Sequence, residues 1–310
     1  MNLIQKRYLY FLISGIIIIP GIIALILWGL PLAIDFTGGS LLEVSFTSGT
    51  VPQPSQVVTF LEQNGIPGAE VQTTGNNSLT IRSKQIDTST ETELVAKMET
   101  QYNATITVLQ FNSVGPSVGQ EVTNGAAVAV GAAAIFILGY ITFAFRGIPH
   151  AFRFGTAAII AMLHDVAVVI GFAAIFGHFI GWEVDSLYLT ALLTVIGFSV
   201  HDTIVVFDRI RENQNIYRSL PFETVVNHSI IQTLDRSINT QLTVMMTLFA
   251  LALFGGITIR HFVVTLLIGV FSGTYSSIFN AAPILVVWEN REWRNWFRSS
   301  KNKQGIAASN

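Results

Sequence analysis

The sequence predicts a polytopic α-helical membrane protein, with six transmembrane helices and a ferredoxin-like βαββαβ extracytoplasmic domain between helices one and two. Three observations carry that prediction. The 310 residues are 51% hydrophobic and only 12% charged, against about a quarter charged in an ordinary soluble chain. Six windows hold the roughly 20 apolar residues needed to cross a bilayer. The basic residues also divide very unevenly between the two sides of a six-span arrangement.

The spans fall near Tyr8–Leu30, Gly125–Phe145, Phe152–Phe176, Leu187–Phe207, Ile238–Gly256 and Phe262–Trp288. The first follows Lys6-Arg7 and starts like a signal peptide. It is longer than an h-region and shows no small-x-small cleavage site, so an uncleaved helix is expected. Of the 17 Lys and Arg residues, only Arg82, Lys84, Lys97 and Arg260 lie on one side of the six-span model. The rest, from Lys6 to Lys303, lie on the other, which the positive-inside rule makes cytoplasmic together with both termini. The chain thus divides into residues 1–34, an extracytoplasmic 35–124, a five-helix membrane part 125–290 and a cytoplasmic tail 291–310. A net charge of −2 gives no footprint for nucleic acid. With no cysteine, disulfides, thiolate catalysis and Cys-ligated metals are excluded.

Between the first two spans, Ser40–Phe46 alternates as a strand does. Pro54–Asn64 reads as a helix, with proline in its first turn and Gly65 past its end. Glu70–Thr73 and Ser78–Ile86 read as strands around a Gly75-Asn76-Asn77 turn. Thr90-x-x-Glu93 reads as a capping box opening a second helix that ends near Tyr102, and Thr105–Phe111 alternates again. The order is β-α-β-β-α-β. No histidine lies in this stretch and its acids are scattered, so no catalytic constellation is visible there; such a sheet edge can bind extended polypeptide.

Two glycine-bearing segments flank it: Asp35-Phe36-Thr37-Gly38-Gly39 and Val114-Gly115-Pro116-Ser117-Val118-Gly119. They are either plain connectors or hinges between membrane and domain, since glycine permits tight turns and Pro116 fixes one. The small residues of Gly125–Ala134 predict close helix packing by span two. Phe222, Val225, Val226, Ile230 and Leu234 recur at helical spacing, as in an amphipathic helix lying on the inner interface. Trp293, Trp296 and Phe297 among arginines suit headgroup anchoring.

Two aspartates lie within spans: Asp165, after His164, and Asp202, after His201. A carboxylate in hydrocarbon costs about 2.5–3.5 kcal/mol on insertion scales, so it is kept for a task or a partner. Neighbours on a helix diverge by about 100°, so each acid and its histidine are not expected to line one pathway. Helical metal pairs favour i, i+3 or i, i+4, so no metal site is expected. For Asp202 two readings stand: packing bonds to the hydroxyls of Ser199, Thr203 and Thr194, or a carboxylate that gains and loses a proton. Arg236, where span five meets lipid, is either a loop charge or the partner cation of Asp202. Gly197 gives span four a soft point.

At these residues the chain resembles the SecF half of the SecD/SecF protein-export family, within the resistance-nodulation-division superfamily. The resemblance rests on the two glycine segments, on Gly197–Asn213 of span four, on Thr233-Leu-Asp-Arg-Ser237 and on Phe254-Gly-Gly256. It implies a multi-pass protein of the bacterial plasma (inner) membrane that is not an enzyme and needs no cofactor. The implied partners are SecD, the SecYEG channel (with YajC or YidC), the translocating preprotein and membrane lipid. It implies that Asp202 couples proton flow to translocation with Arg236 as its neighbour. In the family pattern Asn precedes that aspartate and Tyr precedes the serine, where this chain has His201 and Phe198. Two other classes compete. An intramembrane aspartyl protease expects Tyr-Asp and Gly-x-Gly-Asp, whereas the chain has Leu163-His164-Asp165 and Val200-His201-Asp202. A small-molecule exporter of the same superfamily expects twice the spans in one chain.

Overall fold

The computed structural model describes residues 2–48, 51–74, 77–147 and 151–292. The anchoring expected at Trp293, Trp296 and Phe297, and part of the Gly75-Asn76-Asn77 turn, lie outside them. The described residues form two compact units, divided in the chain after 30, 129, 182 and 186, with 31–129 and 183–186 making up one of them. The division falls inside one helix, and the loop before span four belongs to the soluble unit.

The soluble unit contains α2 (Ile34–Thr37), β1 (Gly39–Phe46), α3 (Pro54–Gln63), β2 (Glu70–Thr74), β3 (Ser78–Ser83), α4 (Thr88–Tyr102) and β4 (Ile106–Val114). The sheet order is β2-β3-β1-β4, antiparallel throughout, with Leu42 opposite Ile81 and Val44 opposite Leu79. Alternation puts Leu42, Val44 and Phe46 on the buried face, where they meet Val57, Leu61, Leu94 and Met98 from the helices. α4 begins earlier than the capping box predicts. Asp87 is its cap: Thr90 N–H donates to Asp87 Oδ1 at 2.9 Å and Ser89 Oγ donates to Oδ2 at 2.9 Å. These bonds hold the Asp87 carboxyl down to about 2. Burial pushes the Glu183 carboxyl up, against the pull of its ion pair with Arg82.

The membrane unit is built on α1 (Arg7–Trp28), α5 (Pro116–Ala144, which starts in the soluble unit), α6 (Ala151–Ile180), α7 (Ser186–Ile216), α8 (Phe222–Phe254), α9 (Ile257–Ser276) and α10 (Ala282–Glu289). A π-helical segment, Ser277–Ala281, joins α9 to α10 in a single span. Six helices among the described residues are long and apolar enough to cross a membrane. The interfacial amphipathic helix expected around Pro221–Leu234 is not separate. It is the first third of α8, which contains no Gly or Pro to break it. Its apolar stripe meets the bundle rather than lipid, with Val226 and Ile230 in the same core as Phe207 and Ile210. α7 likewise runs past the charged Asp208–Asn213. Asn213 is buried there and donates to Ser229 Oγ at 2.9 Å and to Gln232 Oε1 at 2.8 Å, which makes α7 and α8 a long hairpin.

Close helix approach occurs elsewhere than the small residues of span two suggest. Gly125, Gly131 and Gly139 have open space where a Cβ would stand. In contrast, a Cβ on Gly171 of α6 would lie 2.7 Å from the Gly21 Cα of α1. Gly171→Leu is therefore expected to force α1 and α6 apart, at a cost of about 1–3 kcal/mol. Gly131→Leu is expected to be silent. Thermal unfolding of the two variants in detergent, followed side by side, checks the contrast.

Candidate functional site

The π-joined last span positions the site. Ser272, Ser276 and Asn280 recur every four residues and so share one face of an otherwise apolar helix. Glycine lets that face come close to α7. A Cβ on Gly269 would strike Val195 Cγ2, and one on Gly273 would lie 3.2 Å from Ser199 Cα. The polar face of α9 and Ser199 of α7 thereby converge on α6.

Their common target is Asp165, 1% exposed. Ser199 Oγ donates to its Oδ2 at 2.5 Å and Ser276 Oγ to the same oxygen at 2.6 Å. Ser272 Oγ donates to Oδ1 at 2.6 Å, and His164 Nδ1 stands 3.0 Å from Oδ1. The network continues from His164 Nε2 to Ser14 Oγ of α1 at 3.1 Å, and from there to Asn280 Nδ2 at 2.9 Å. A neutral imidazole carrying its proton on Nδ1 fits both contacts, donating to Asp165 and accepting from Ser14. Adjacent side chains therefore do meet at His164-Asp165, contrary to the angular expectation, because rotamers can swing two neighbours together. Ser277 Oγ bonds Gly273 O at 2.7 Å and Ser199 O at 3.2 Å, and lies 3.0 Å from Thr203 Oγ1. A π-segment set among such contacts is a common mark of a functional stretch.

Asp202 lies on another side of α7. It is 3% exposed, and its Oδ2 has no hydrogen-bond partner. None of the three hydroxyls read as its packing partners bonds it. Ser199 serves Asp165, Thr203 Oγ1 donates to Ser199 O at 2.9 Å, and Thr194 Oγ1 donates to Thr190 O at 2.7 Å. What faces Asp202 is α8, through Ser237 and Gln241. Arg236 is exposed one residue before Ser237 and makes no ion pair with Asp202; His201 is exposed on α7. Gly197 sits exposed in an unbroken helix, with nothing within 4 Å of where its Cβ would be. Ser14, Ser237, Gln241, Ser272, Ser276 and Asn280 were missed by sequence reasoning. The four-residue spacing in the last span was the signal that could have found three of them.

The two glycine segments of the soluble unit pack on one another, backbone to backbone. Gly38 and Gly39 have φ of 71° and 123°, which glycine adopts freely. A Cβ on Gly38 would lie 2.8 Å from Pro116 Cα, and one on Gly119 2.8 Å from Gly38 N and 2.9 Å from Phe36 O. Gly115 has looser surroundings, with Gln85 at 3.7 Å. Asp35 Oδ2 accepts from the N–H of Ser186, the first residue of α7, at 2.8 Å, and an isolated bridge pairs Val184 with Leu32 just before it.

Removing the Asp165 acceptor orphans the buried Ser199 and Ser272 hydroxyls and leaves Ser276 only the Gly273 carbonyl at 3.2 Å. At roughly 0.6 kcal/mol per interhelical hydrogen bond, Asp165→Ala is expected to cost about 2 kcal/mol, and more where the hydroxyls find no new partner. Asp165→Asn keeps an acceptor and is expected to cost less. Thermal melts of both variants in lipid nanodiscs measure the difference.

The chain matches known proteins in both sequence and fold. Residues 94–291 match the family model for "Protein export membrane protein SecD/SecF, C-terminal", and residues 29–50 match the SecD/SecF GG motif, which contains Gly38-Gly39. Protein translocase subunit SecF of Anaerolinea thermophila is 58% identical over 299 residues, covering 96% of this chain and 97% of that protein. Protein translocase subunit SecDF of Thermus thermophilus is 36% identical over 272 residues, covering 85% of this chain and 35% of that one. A crystal structure of SecDF from that organism superposes with a TM-score of 0.80 at 32% identity, over 94% of this chain and 39% of its own. From helix faces to glycine contacts to these matches, the conclusion is that the chain belongs to the SecD/SecF protein-export family, on its SecF side.

Proposed function

We propose that this chain is the SecF-type half of a proton-driven protein-export factor, with Asp202 as its proton-coupling group. The observation that carries the reading is the contrast between two carboxylates buried in one bundle. Both oxygens of Asp165 are occupied, by hydroxyls and by His164. Asp202 Oδ2 is buried and has no partner. An unsatisfied charged oxygen in hydrocarbon is costly, and binding a proton removes the charge. Asp165 with His164 then acts as the fixed anchor of α6, α7 and α9, while Asp202 changes state against α8. Arg236, within a turn of the groups that face Asp202, is the cation assigned to the coupling pair.

The chain works with a SecD partner, as the fused SecDF of Thermus thermophilus suggests, and at the SecYEG channel with YajC or YidC. It sits in the bacterial plasma membrane with both termini in the cytoplasm. The β-α-β-β-α-β unit is its ferredoxin-like outward domain, and the packed glycine segments transmit motion to it. The work done is movement of preprotein, with no covalent turnover by this chain.

Asp202→Asn is expected to abolish translocation driven by an imposed pH gradient in membrane vesicles, with assembly onto SecD intact. Undiminished proton-stimulated translocation in that variant would remove the coupling role. Arg236→Lys is expected to impair the same assay more than Arg218→Lys does, since Arg218 sits in the loop between α7 and α8 and, among the described residues, bonds only Asn215 O. Equal effects would count against a special role for Arg236.

A further inference from the structure

Ser237 and Gln241 stand one helical turn apart on α8, 2% and 4% exposed, and both face the Asp202 carboxylate. Asp202 Oδ2, Ser237 Oγ and Gln241 Oε1 are all buried without a hydrogen-bond partner. Buried polar atoms in native proteins are nearly always paired, so three such oxygens in one place need an explanation. Counting donors supplies one. With Asp202 ionised, the only hydrogen on these three oxygens is that of the Ser237 hydroxyl, which can pair two of them and leaves the third unserved. A proton taken from water onto Asp202 Oδ2 adds the missing donor, and its O–H can be given to Gln241 Oε1. When that proton returns to water, rotation of the Gln241 amide by half a turn exchanges Oε1 for Nε2–H, which can donate to the carboxylate.

We infer that Gln241, assisted by Ser237, is the positioning residue that serves both protonation states of Asp202, accepting from the acid and donating to the carboxylate. The other charged groups near Asp202 are His201 on its own helix and Arg236 on α8; Asp165 of α6 is turned to the serines of α7 and α9. Neither His201 nor Arg236 offers both a donor and an acceptor across a protonation change, because arginine has no acceptor and His201 is exposed. The inference rests on the proposed coupling role of Asp202.

Infrared difference spectroscopy during a pH titration tests it, using the chain assembled with SecD in liposomes. The band of protonated Asp202 is identified as the one lost in Asp202→Asn. In Gln241→Leu that band is expected to move to higher wavenumber, because hydrogen bonding softens an acid carbonyl. Its pH midpoint is expected to be displaced by about one unit, a tenfold change in proton affinity. The pH profile of translocation is expected to move with it. Ser237→Ala is expected to show the same changes at smaller size, and decides the matter if the leucine variant does not assemble. An Asp202 band whose frequency and midpoint ignore both substitutions would overturn the role of Gln241 and leave the coupling role standing. Absence of any band sensitive to Asp202→Asn would overturn both.

Discussion

A carboxylate in the middle of an apolar bundle has to be answered by donors, and the way Asp165 is answered organises the membrane unit. Its two oxygens collect hydrogen bonds from Ser199 of α7 and from Ser272 and Ser276 of α9, with His164 beside it on α6. Three helices are thereby joined at one group. The imidazole extends the connection to Ser14 of α1, and Ser14 passes it to Asn280 in the π-segment. Lipid supplies no hydrophobic force between helices, so small-residue packing and polar contacts such as these must hold the bundle. The side chains are short, which demands that the backbones come close first.

Glycine meets that demand. Gly269 and Gly273 stand four residues apart on α9 and remove the Cβ atoms that would strike Val195 and Ser199. With them in place the Ser199 hydroxyl reaches α6, and Ser277 reaches the Ser199 carbonyl. Gly21 and Gly171 do the same for α1 and α6, and that approach brings Ser14 within reach of His164. Close packing and the polar network are thus two consequences of the same four glycines. At the other end of α1, Arg7 bonds Glu223 at 3.1 Å and Glu292 at 2.7 Å, tying the starts of α1 and α8 to the residues after α10.

The parts of this architecture that depend on periodicity were legible in the sequence. Six apolar runs and the alternation of Leu42, Val44 and Phe46 state a period directly, and the structure has those spans and that buried face. What periodicity leaves open is which neighbour a helical face meets. Span two is rich in small residues yet has open space at its glycines, while Gly269 and Gly273 sit among large residues and make the contact. Ser199 lies three residues before Asp202 and was a natural bonding partner by spacing, but its hydroxyl turns to a different helix. Val225, Val226 and Ile230 form an apolar stripe that lipid headgroups or a protein core would bury equally well, so the stripe alone does not say which. Asp202 was found because charge in an apolar run is conspicuous. Gln241 was missed because an uncharged amide is not.

Energetic scale separates the two acids buried in the bundle. A membrane potential acts on one elementary charge with about 2.3 kcal/mol per 100 mV. An interhelical hydrogen bond in lipid averages roughly 0.6 kcal/mol. Displacing Asp165 means breaking interhelical bonds to three serines, which together oppose the field with about 2 kcal/mol. At Asp202 the buried Oδ2 has nothing to break. On the proposed coupling role, that driving force acts on Asp202 and leaves Asp165 in place. On the same proposal the responding helix is α8, which meets Asp202 through Ser237 and Gln241, while α6, α7 and α9 stay joined at the other acid.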